Sequence, residues 1–316
     1  MSEDHSLVDF TQRRRAQLRN AREETSPRVP VLAIGRFDTA QLREQAAAAG
    51  FRVDRVLEEC PDDPPLGTTH VVLSPDQLGE LGEPRAGWLD EVDRIYVAIG
   101  NANPFTPVIP PRMERVRRVI DVAAAGLVLL AALPLLAACA IWVRFDSKGP
   151  VLFRQVRVGR DGRKFDLLKL RTMQHGNDDS QHRRYVRELM KGKADAEDGV
   201  FRLGNDPRVT RAGRTLRKYS IDELPQLWNV VKGDMSMIGP RPNSLHETAL
   251  YDARSWERLR VKPGMTGLWQ VEARGLVSFE EMVELDVSYW QHWSLRNDLR
   301  LLARTPVAVL RARGAA

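Results

Sequence analysis

Apolar and polar positions alternate with a different grain in successive parts of the chain. From Val29 to Gly100 the apolar runs are short: VPVLAIG (Val29 to Gly35), VDRVL (Val53 to Leu57), THVVLS (Thr69 to Ser74) and DRIYVAIG (Asp93 to Gly100). Each is bounded by polar or turn-forming residues and reads as a buried strand. Between the first two, DTAQLREQAAAAG has helical spacing, with Asp38 or Thr39 as its cap and Gly50 as its stop. Strand, helix, strand predicts a small α/β domain with a parallel sheet. Gly35 follows the first strand without a G-x-G-x-x-G run around it, so a structural or regulatory role is expected there ahead of dinucleotide binding. A polar tail, residues 1–28, precedes this domain, and Met1 to Asn20 lacks the apolar stretch of a secretory signal. NANPFTPVIPP (Asn101 to Pro111), with four prolines, follows it as a stiff linker.

The pattern then changes to a single long apolar stretch. Val122 to Val143, VAAAGLVLLAALPLLAACAIWV, runs for 22 residues without a charge, which as a helix is about 33 Å, enough to cross a hydrocarbon core of about 30 Å. Pro134 lies near its middle and predicts a kink, because proline removes one backbone hydrogen bond and clashes with the preceding turn. Arg112, Arg115, Arg117 and Arg118 precede the stretch, and Arg144 and Lys148 follow it. Basic residues at both ends favour both ends on the cytoplasmic face, a re-entrant, monotopic arrangement with a membrane segment over 119–143. A kinked transmembrane helix and a buried core helix are the alternatives.

Beyond it, VLFRQVRVG and KFDLLKLRTM flank Asp161-Gly162 and read as a β-hairpin with basic residues on both arms. Residues 174–200 are polar and read as a surface helix and loop, with His175 and His182 solvated. Arg208, Arg211, Arg214, Arg217 and Lys218 then give a helix with a basic side, and Ser220-Ile221-Asp222-Glu223 follows at once. Ser-x-x-Glu is a capping-box spacing, which would tie Glu223 only to the Ser220 backbone. With Asp222 as the cap instead, Pro225 falls where no amide is needed. In either case both carboxylates sit at a helix start beside arginines, which favours an ionised Asp222. Adjacent carboxylates near arginines suit Mg²⁺ and phosphate, since that ion is held by one or two carboxylates and substrate phosphate oxygens. Gly239-Pro240-Arg241-Pro242 places a guanidinium in a stiffened backbone, and arginine grips phosphate with paired donors.

Charge sharpens the partner question. The net +6 divides into +1 for residues 1–30 (6 basic, 5 acidic), −7 for residues 31–100 (6 and 13) and +12 for residues 101–316 (36 and 24). The basic part calls for an anionic partner: nucleic acid, phospholipid or phosphorylated small molecules. Only Cys60 and Cys139 are present, too few for a disulfide framework or a cysteine zinc site. No helix-turn-helix, zinc-finger or RNA-binding signature accompanies the charge, so no nucleic-acid partner is expected.

RVIDVAAAGLVLLAALPLL, GPVLFRQVRVGRDGRKFDLLKLRTM, NDPRVTRAGRTLRKYSIDELPQLWNVVKGDMSMIGPRP, VKPGMTGLWQV and SFEEMVELDVSYWQHWSLRNDLRLL occur in that order. Together they closely resemble the bacterial sugar transferases, the monotopic polyprenyl-phosphate glycosyl-1-phosphate transferases. The resemblance implies that residues 112–316 form a mainly α, α+β membrane catalytic domain on the cytoplasmic membrane face. It implies transfer of sugar-1-phosphate from a nucleoside-diphosphate sugar, here a UDP-sugar, to polyprenyl (undecaprenyl) phosphate with release of UMP, an opening step of exopolysaccharide, capsule or glycoconjugate synthesis. Asp222 would be the nucleophile, forming a covalent phosphosugar intermediate, and Glu223 would help to hold Mg²⁺. Lys169, Arg171, Arg217, Arg241 and Lys262 would contact phosphate, and Pro134 would turn the membrane helix back. A homodimer or a glycan-assembly complex fits the same setting, and a catalytically silent membrane scaffold is the alternative function. Residues 29–100 are similar to a shortened form of the Rossmann-like α/β domain that larger members carry ahead of the catalytic unit.

Departures from the family pattern are confined to a few positions. Leu133 stands where serine often precedes the proline, Lys262 where arginine is commoner, and EARGLVSFEE replaces the usual serine-glycine-arginine-asparagine run. A lysine at 262 offers a point charge in place of a bidentate grip. The aromatics Tyr289, Trp290 and Trp293 beside Arg296 and Arg300 suit either an interfacial helix or ordinary core packing.

Overall fold

A computed structural model describes residues 29–35, 37–49, 51–57, 70–74, 92, 94–97, 107–174, 176, 180–190, 206–248, 250–273 and 277–311. The polar tail, Gly50, Cys60, linker residues 101–106, His175, the His182 side chain and residues 274–276 lie outside that description.

The N-terminal part contains β1 (Val29–Ile34), α1 (Thr39–Ala48), β2 (Phe51–Leu57), β3 (His70–Leu73) and β4 (Arg94–Val97). All pairings are parallel, in the order β2-β1-β3-β4, as the strand pattern predicts. Asp38 caps α1, its carboxylate accepting from the amides of Ala40 and Gln41 at 3.1 Å. Strand alternation sends Val31, Ala33, Val72 and Tyr96 to the face covered by Leu42 and Ala46 of α1. Leu32, Ile34, Val71, Leu73 and Ile95 point the other way, where they share one buried cluster with Val158, Tyr251, Trp256 and Leu259. The small sheet therefore has α1 on one face and the rest of the protein on the other.

Pro111–Asp146 forms one helix, α2, of 36 residues, about 54 Å long. Helical backbone continues through Pro134 without a separate second element. Its most apolar window has a mean hydropathy of 2.5 and is 11% buried, so it is no core helix, and it is long and apolar enough to cross a membrane. What is buried is a stripe at helical spacing: Arg117, Asp121, Ala125, Cys139 and Val143. In the first arm, Arg117 donates to the Ile238 carbonyl and to Tyr289 Oη (3.0 Å) and pairs with Asp298 at 3.1 Å. Arg118 donates to the carbonyls of Val230 and Val231, closing off the end of a later helix, and Asp121 accepts from the Met237 amide at 3.0 Å. Ala125 and Leu129 then pack with Phe165, Leu167, Leu227 and Val230. In the second arm, Leu136, Cys139 and Val143 pack with Leu170, Ala212 and Leu216. Both arms are thus docked to the same body, while Leu127 (73% exposed), Leu130 (69%), Leu133, Leu135, Ile141, Trp142 and Phe145 face outward.

The hairpin is present as β5 (Leu152–Val158) and β6 (Lys164–Leu170), antiparallel. Asp161 (φ 55°) and Gly162 (φ 71°) are both left-handed, the conformation for which an Asp-Gly turn is suited. Gly162 also abuts β4: a Cβ there would lie 2.7 Å from the Ile95 amide nitrogen. β5 is the middle strand of a three-stranded sheet, paired on its other side with β8 (Asn243–Ser244). Around this sheet lie α3 (Ser180–Met190), α4 (Arg211–Lys218), α5 (Gln226–Lys232), β7 (Ser236–Ile238), α6 (Leu245–Thr248), α7 (Ala253–Trp256), β9 (Gly264–Thr266), α8 (Leu268–Glu272), α9 (Phe279–Gln291) and α10 (Leu295–Arg311). The polar stretch expected on the surface docks through α3 by burying Val186 and Leu189.

At the C-terminal end the core reading prevails over the interfacial one. Tyr289 is buried and donates to Asp298 at 2.7 Å, Trp293 donates to the same carboxylate at 3.0 Å, and Trp290 lies under the Arg260 guanidinium at 5.4 Å. Burial raises the Asp298 carboxyl above its ordinary range, against the pull of Arg117 and its two donors.

Candidate functional site

The acidic pair lies at the junction of three short elements, and the sequence explains how each is aimed. Helix α4 begins at Thr210, whose hydroxyl accepts from the Gly213 amide at 3.0 Å, and Asp146 at the end of α2 accepts from the Ala212 amide at 3.0 Å. Gly213 allows α4 to close on the end of β6: a Cβ there would sit 2.0 Å from the Thr172 carbonyl oxygen. At this closest approach Arg217 Nε donates to Thr172 Oγ1 at 2.9 Å. The chain then reverses through Ser220, held left-handed at φ 55°, into a single 3-10 turn, Ile221–Glu223.

Neither predicted cap is formed. Ser220 makes no side-chain cap bond, and α5 begins after Pro225 with no capping side chain. Glu223 instead reaches Lys169 on β6, with Oε1 2.8 Å from Nζ. What aims α5 at β6 is Asn229, which is fully buried. It accepts from the Leu168 amide at 3.1 Å and donates to the Asp166 carbonyl at 2.7 Å, so a side-chain amide stands in for a neighbouring strand. Asp222, in the same turn, is only 3% exposed.

The Gly239–Pro242 loop is anchored to the same sheet. It is fixed at both ends, by β7 pairing with β9 and by β8 pairing with β5. Gly239, Gly264 and Gly267 meet backbone to backbone, each with less than 2.5 Å of room for a Cβ. GPRP and KPGMTG are therefore one folded unit, stitched by Gly239 N to Thr266 O (2.9 Å) and Gly264 N to Pro240 O (2.8 Å). Arg241 projects from this unit, and its charge, like that of Glu223, acts on Arg157 in β5.

The structure thus brings Lys169 to Glu223 beside Asp222, with Arg217 on the adjoining helix, and sets Arg241 and Glu223 both within reach of Arg157. Two of the predicted residues are elsewhere. Arg171 is 4% exposed and donates to the carbonyls of Val143 (3.3 Å), Ser147 (2.8 Å) and Lys148, closing the C-terminal end of α2. Lys262 is half-buried, and the charges that act on it are those of Arg160, Glu114, Arg118 and Asp121; burial, with the neighbouring arginines, holds its ammonium below the ordinary lysine range. Arg157, which the sequence left among several basic residues of the hairpin, is buried near the pair. Its signal was positional only, in that it precedes the apolar Val158 and the Gly159 turn.

An acidic turn set among cations, in a body docked along an exposed apolar helix, is the build of a membrane-associated enzyme for anionic substrates. The family model for bacterial sugar transferases matches residues 112–312, and the chain belongs to that family. It is 44% identical over 247 residues to the UDP-glucose:undecaprenyl-phosphate glucose-1-phosphate transferase of Caulobacter vibrioides, covering 73% of this chain and 85% of that protein. It is 40% identical over 212 residues to the exopolysaccharide production protein ExoY of Rhizobium meliloti (66% and 92%). With the undecaprenyl-phosphate galactose phosphotransferase of Salmonella typhimurium it shares 40% identity over 203 residues, 63% of this chain but only 41% of that longer protein.

Proposed function

We propose that this chain transfers sugar-1-phosphate from a UDP-sugar to undecaprenyl phosphate, releasing UMP, at the cytoplasmic face of the membrane. The observation that carries the reading is the 2.8 Å contact of Lys169 with Glu223 beside Asp222, inside the region the family model matches. The names of the Caulobacter and Salmonella relatives supply the substrate classes. Cations on both sides of the apolar stretch of α2, and both of its arms docked to one body, support a re-entrant placement with both ends on the cytoplasmic side.

In this mechanism an Asp222 carboxylate oxygen attacks the sugar-proximal phosphorus. The bond from that phosphorus to the oxygen bridging the two phosphates breaks, UMP leaves with the bridging oxygen, and an acyl phosphate remains on Asp222. A phosphate oxygen of the lipid then attacks the same phosphorus, restoring the carboxylate and forming the lipid diphosphate sugar. Lys169, Arg217 and Arg241 hold the phosphate oxygens. The donor chemistry fits Mg²⁺, which takes one or two carboxylates together with substrate phosphates. Glu223 would help to hold it, and when bound it would neutralise charge on the diphosphate.

The test is UMP release by purified protein given Mg²⁺, undecaprenyl phosphate and UDP-glucose or UDP-galactose. Asp222→Asn should abolish release, and labelled sugar phosphate should be trapped on wild-type protein when lipid is withheld. Obligatory ternary-complex kinetics with no trapped species would sink the covalent step, and no release with any nucleotide sugar would favour a silent scaffold.

A further inference from the structure

Arg157 is buried in the middle strand of the catalytic sheet, where a guanidinium has to be held by more than one partner. Its position is set by register: Arg157 lies opposite Phe165 on β6 and Ser244 on β8. Nη1 donates to the Pro242 carbonyl at 3.2 Å and Nη2 to Gln155 Oε1 at 2.6 Å. Glu247 Oε2 stands 3.6 Å from Nη1. That carboxylate is itself fixed by a reciprocal cap with Ser244, accepting from the Ser244 amide at 3.1 Å while Ser244 Oγ accepts from the Glu247 amide at 3.2 Å.

Pro242 immediately follows Arg241. A donor that holds the Pro242 carbonyl therefore sets the exit of the Gly239–Pro242 loop, whose entry is already set by the glycine contacts with β9. Burial lowers the tendency of Arg157 to hold its proton, Arg241 lowers it further, and Glu247 and Glu223 oppose them. Arg157 thus lies within reach of the charges of both Glu223 and Arg241, and the four cations Lys169, Arg157, Arg217 and Arg241 outnumber the three carboxylates Asp222, Glu223 and Glu247 by one. Such an excess suits a bound phosphate.

We propose that Arg157 is a positioning residue for the transfer: through the Pro242 carbonyl, with Glu247 as its counter-ion, it fixes where Arg241 meets the diphosphate of the nucleotide sugar. The inference rests on the function proposed above. Because Arg157 acts through Arg241, its loss should show as weaker use of nucleotide sugar, and it should add little once Arg241 is gone.

The experiment is a double-mutant cycle on the full-length protein, Arg157→Gln, Arg241→Gln and the pair, with KM for UDP-sugar and kcat read from UMP release. Loss of one charged donor predicts about a tenfold or larger rise in KM for Arg157→Gln. The double variant should be within about twofold of Arg241→Gln alone, the departure from additivity expected of coupled residues. Arg157→Lys should rescue little, since a point charge cannot bridge Pro242, Gln155 and Glu247 together; if Arg157→Gln does not fold, the cycle is run with Arg157→Lys. Losses that multiply, or a KM unchanged in a folded Arg157 variant, overturn the positioning role while leaving the transferase reading intact. Wild-type protein that releases no UMP overturns both.

Discussion

Arg171 and Arg217 stand in similar basic runs, yet their surroundings assign them different effects. Arg171 donates to three carbonyls at the end of α2, so its loss leaves helix-end acceptors unsatisfied and acts on stability. Arg171→Gln should cost about 2 kcal/mol, of the order of a charged hydrogen bond, and lower Tm by several degrees in a thermal melt, with KM for UDP-sugar unchanged in the folded fraction. A rise in KM without a fall in Tm would return Arg171 to the phosphate site. Asp286 gives the second prediction at this scale. It is fully buried against Arg258 at 2.7 Å, and burial raises its carboxyl to about 6. A raised carboxyl stabilises the fold while protonated, so its contribution is complete below about pH 4, the unfolded range, and is lost as pH rises through about 6. Asp286→Asn should lack this downward slope between about pH 4 and 6, which denaturant unfolding at stepped pH would read.

Between elements, contact distance decides which glycines matter. Gly213 and Gly126 are both helical, but a Cβ at Gly213 would overlap the Thr172 carbonyl whereas at Gly126 nothing lies within 4 Å. Gly213→Ala should force α4 off β6, break the bond from Arg217 to Thr172, destabilise by about 1–3 kcal/mol as overpacking does, and cut UMP release. Gly126→Ala should leave release unchanged and raise helix stability by a few tenths to about 1 kcal/mol; equal behaviour of the two variants would refute the close-approach argument. The same scale shows what the amino-acid pattern could and could not convey. The four strands, the Asp-Gly hairpin and the apolar helix were legible because each depends on local period or turn chemistry. The partner of Glu223 was not. Ser220 and Glu223 have capping spacing, but the left-handed Ser220 and the docking of α5 by Asn229 turn Glu223 to Lys169, 54 residues away. Arg157 and Arg154 likewise look alike in the sequence, and only pairing of β5 on both sides buries the former while leaving the latter exposed. Tyr289 and Trp293 suit an interfacial helix and a packed core equally until Asp298, on the next helix, takes both of their donors.

At the scale of the molecule, the −7 and +12 stretches of the sequence meet across a common apolar core. The four-stranded sheet β1–β4 does not hang from the catalytic unit as a separate bead, because Leu32, Ile34, Val71, Leu73 and Ile95 bury Val158, Tyr251, Trp256 and Leu259. Val158 adjoins Arg157, and Tyr251 Oη accepts from Arg258 at 2.7 Å while lying within reach of the charge of Arg241. Loss of the sheet would expose this apolar surface, which includes Val158 next to Arg157 and Tyr251 within reach of Arg241. Ile95→Asp, which puts a carboxylate into that core, should therefore lower the unfolding temperature of the whole chain in a single calorimetric transition and depress UMP release with it, at a cost of several kcal/mol for an unpaired buried charge. Arg52→Ala on the exposed strand β2, where the ion pair with Asp54 is solvated, is the matched control and should change Tm little. If Ile95→Asp instead split the melt in two, with the upper transition and the activity at wild-type values, the two parts would fold and work independently and the shared core would carry no functional weight.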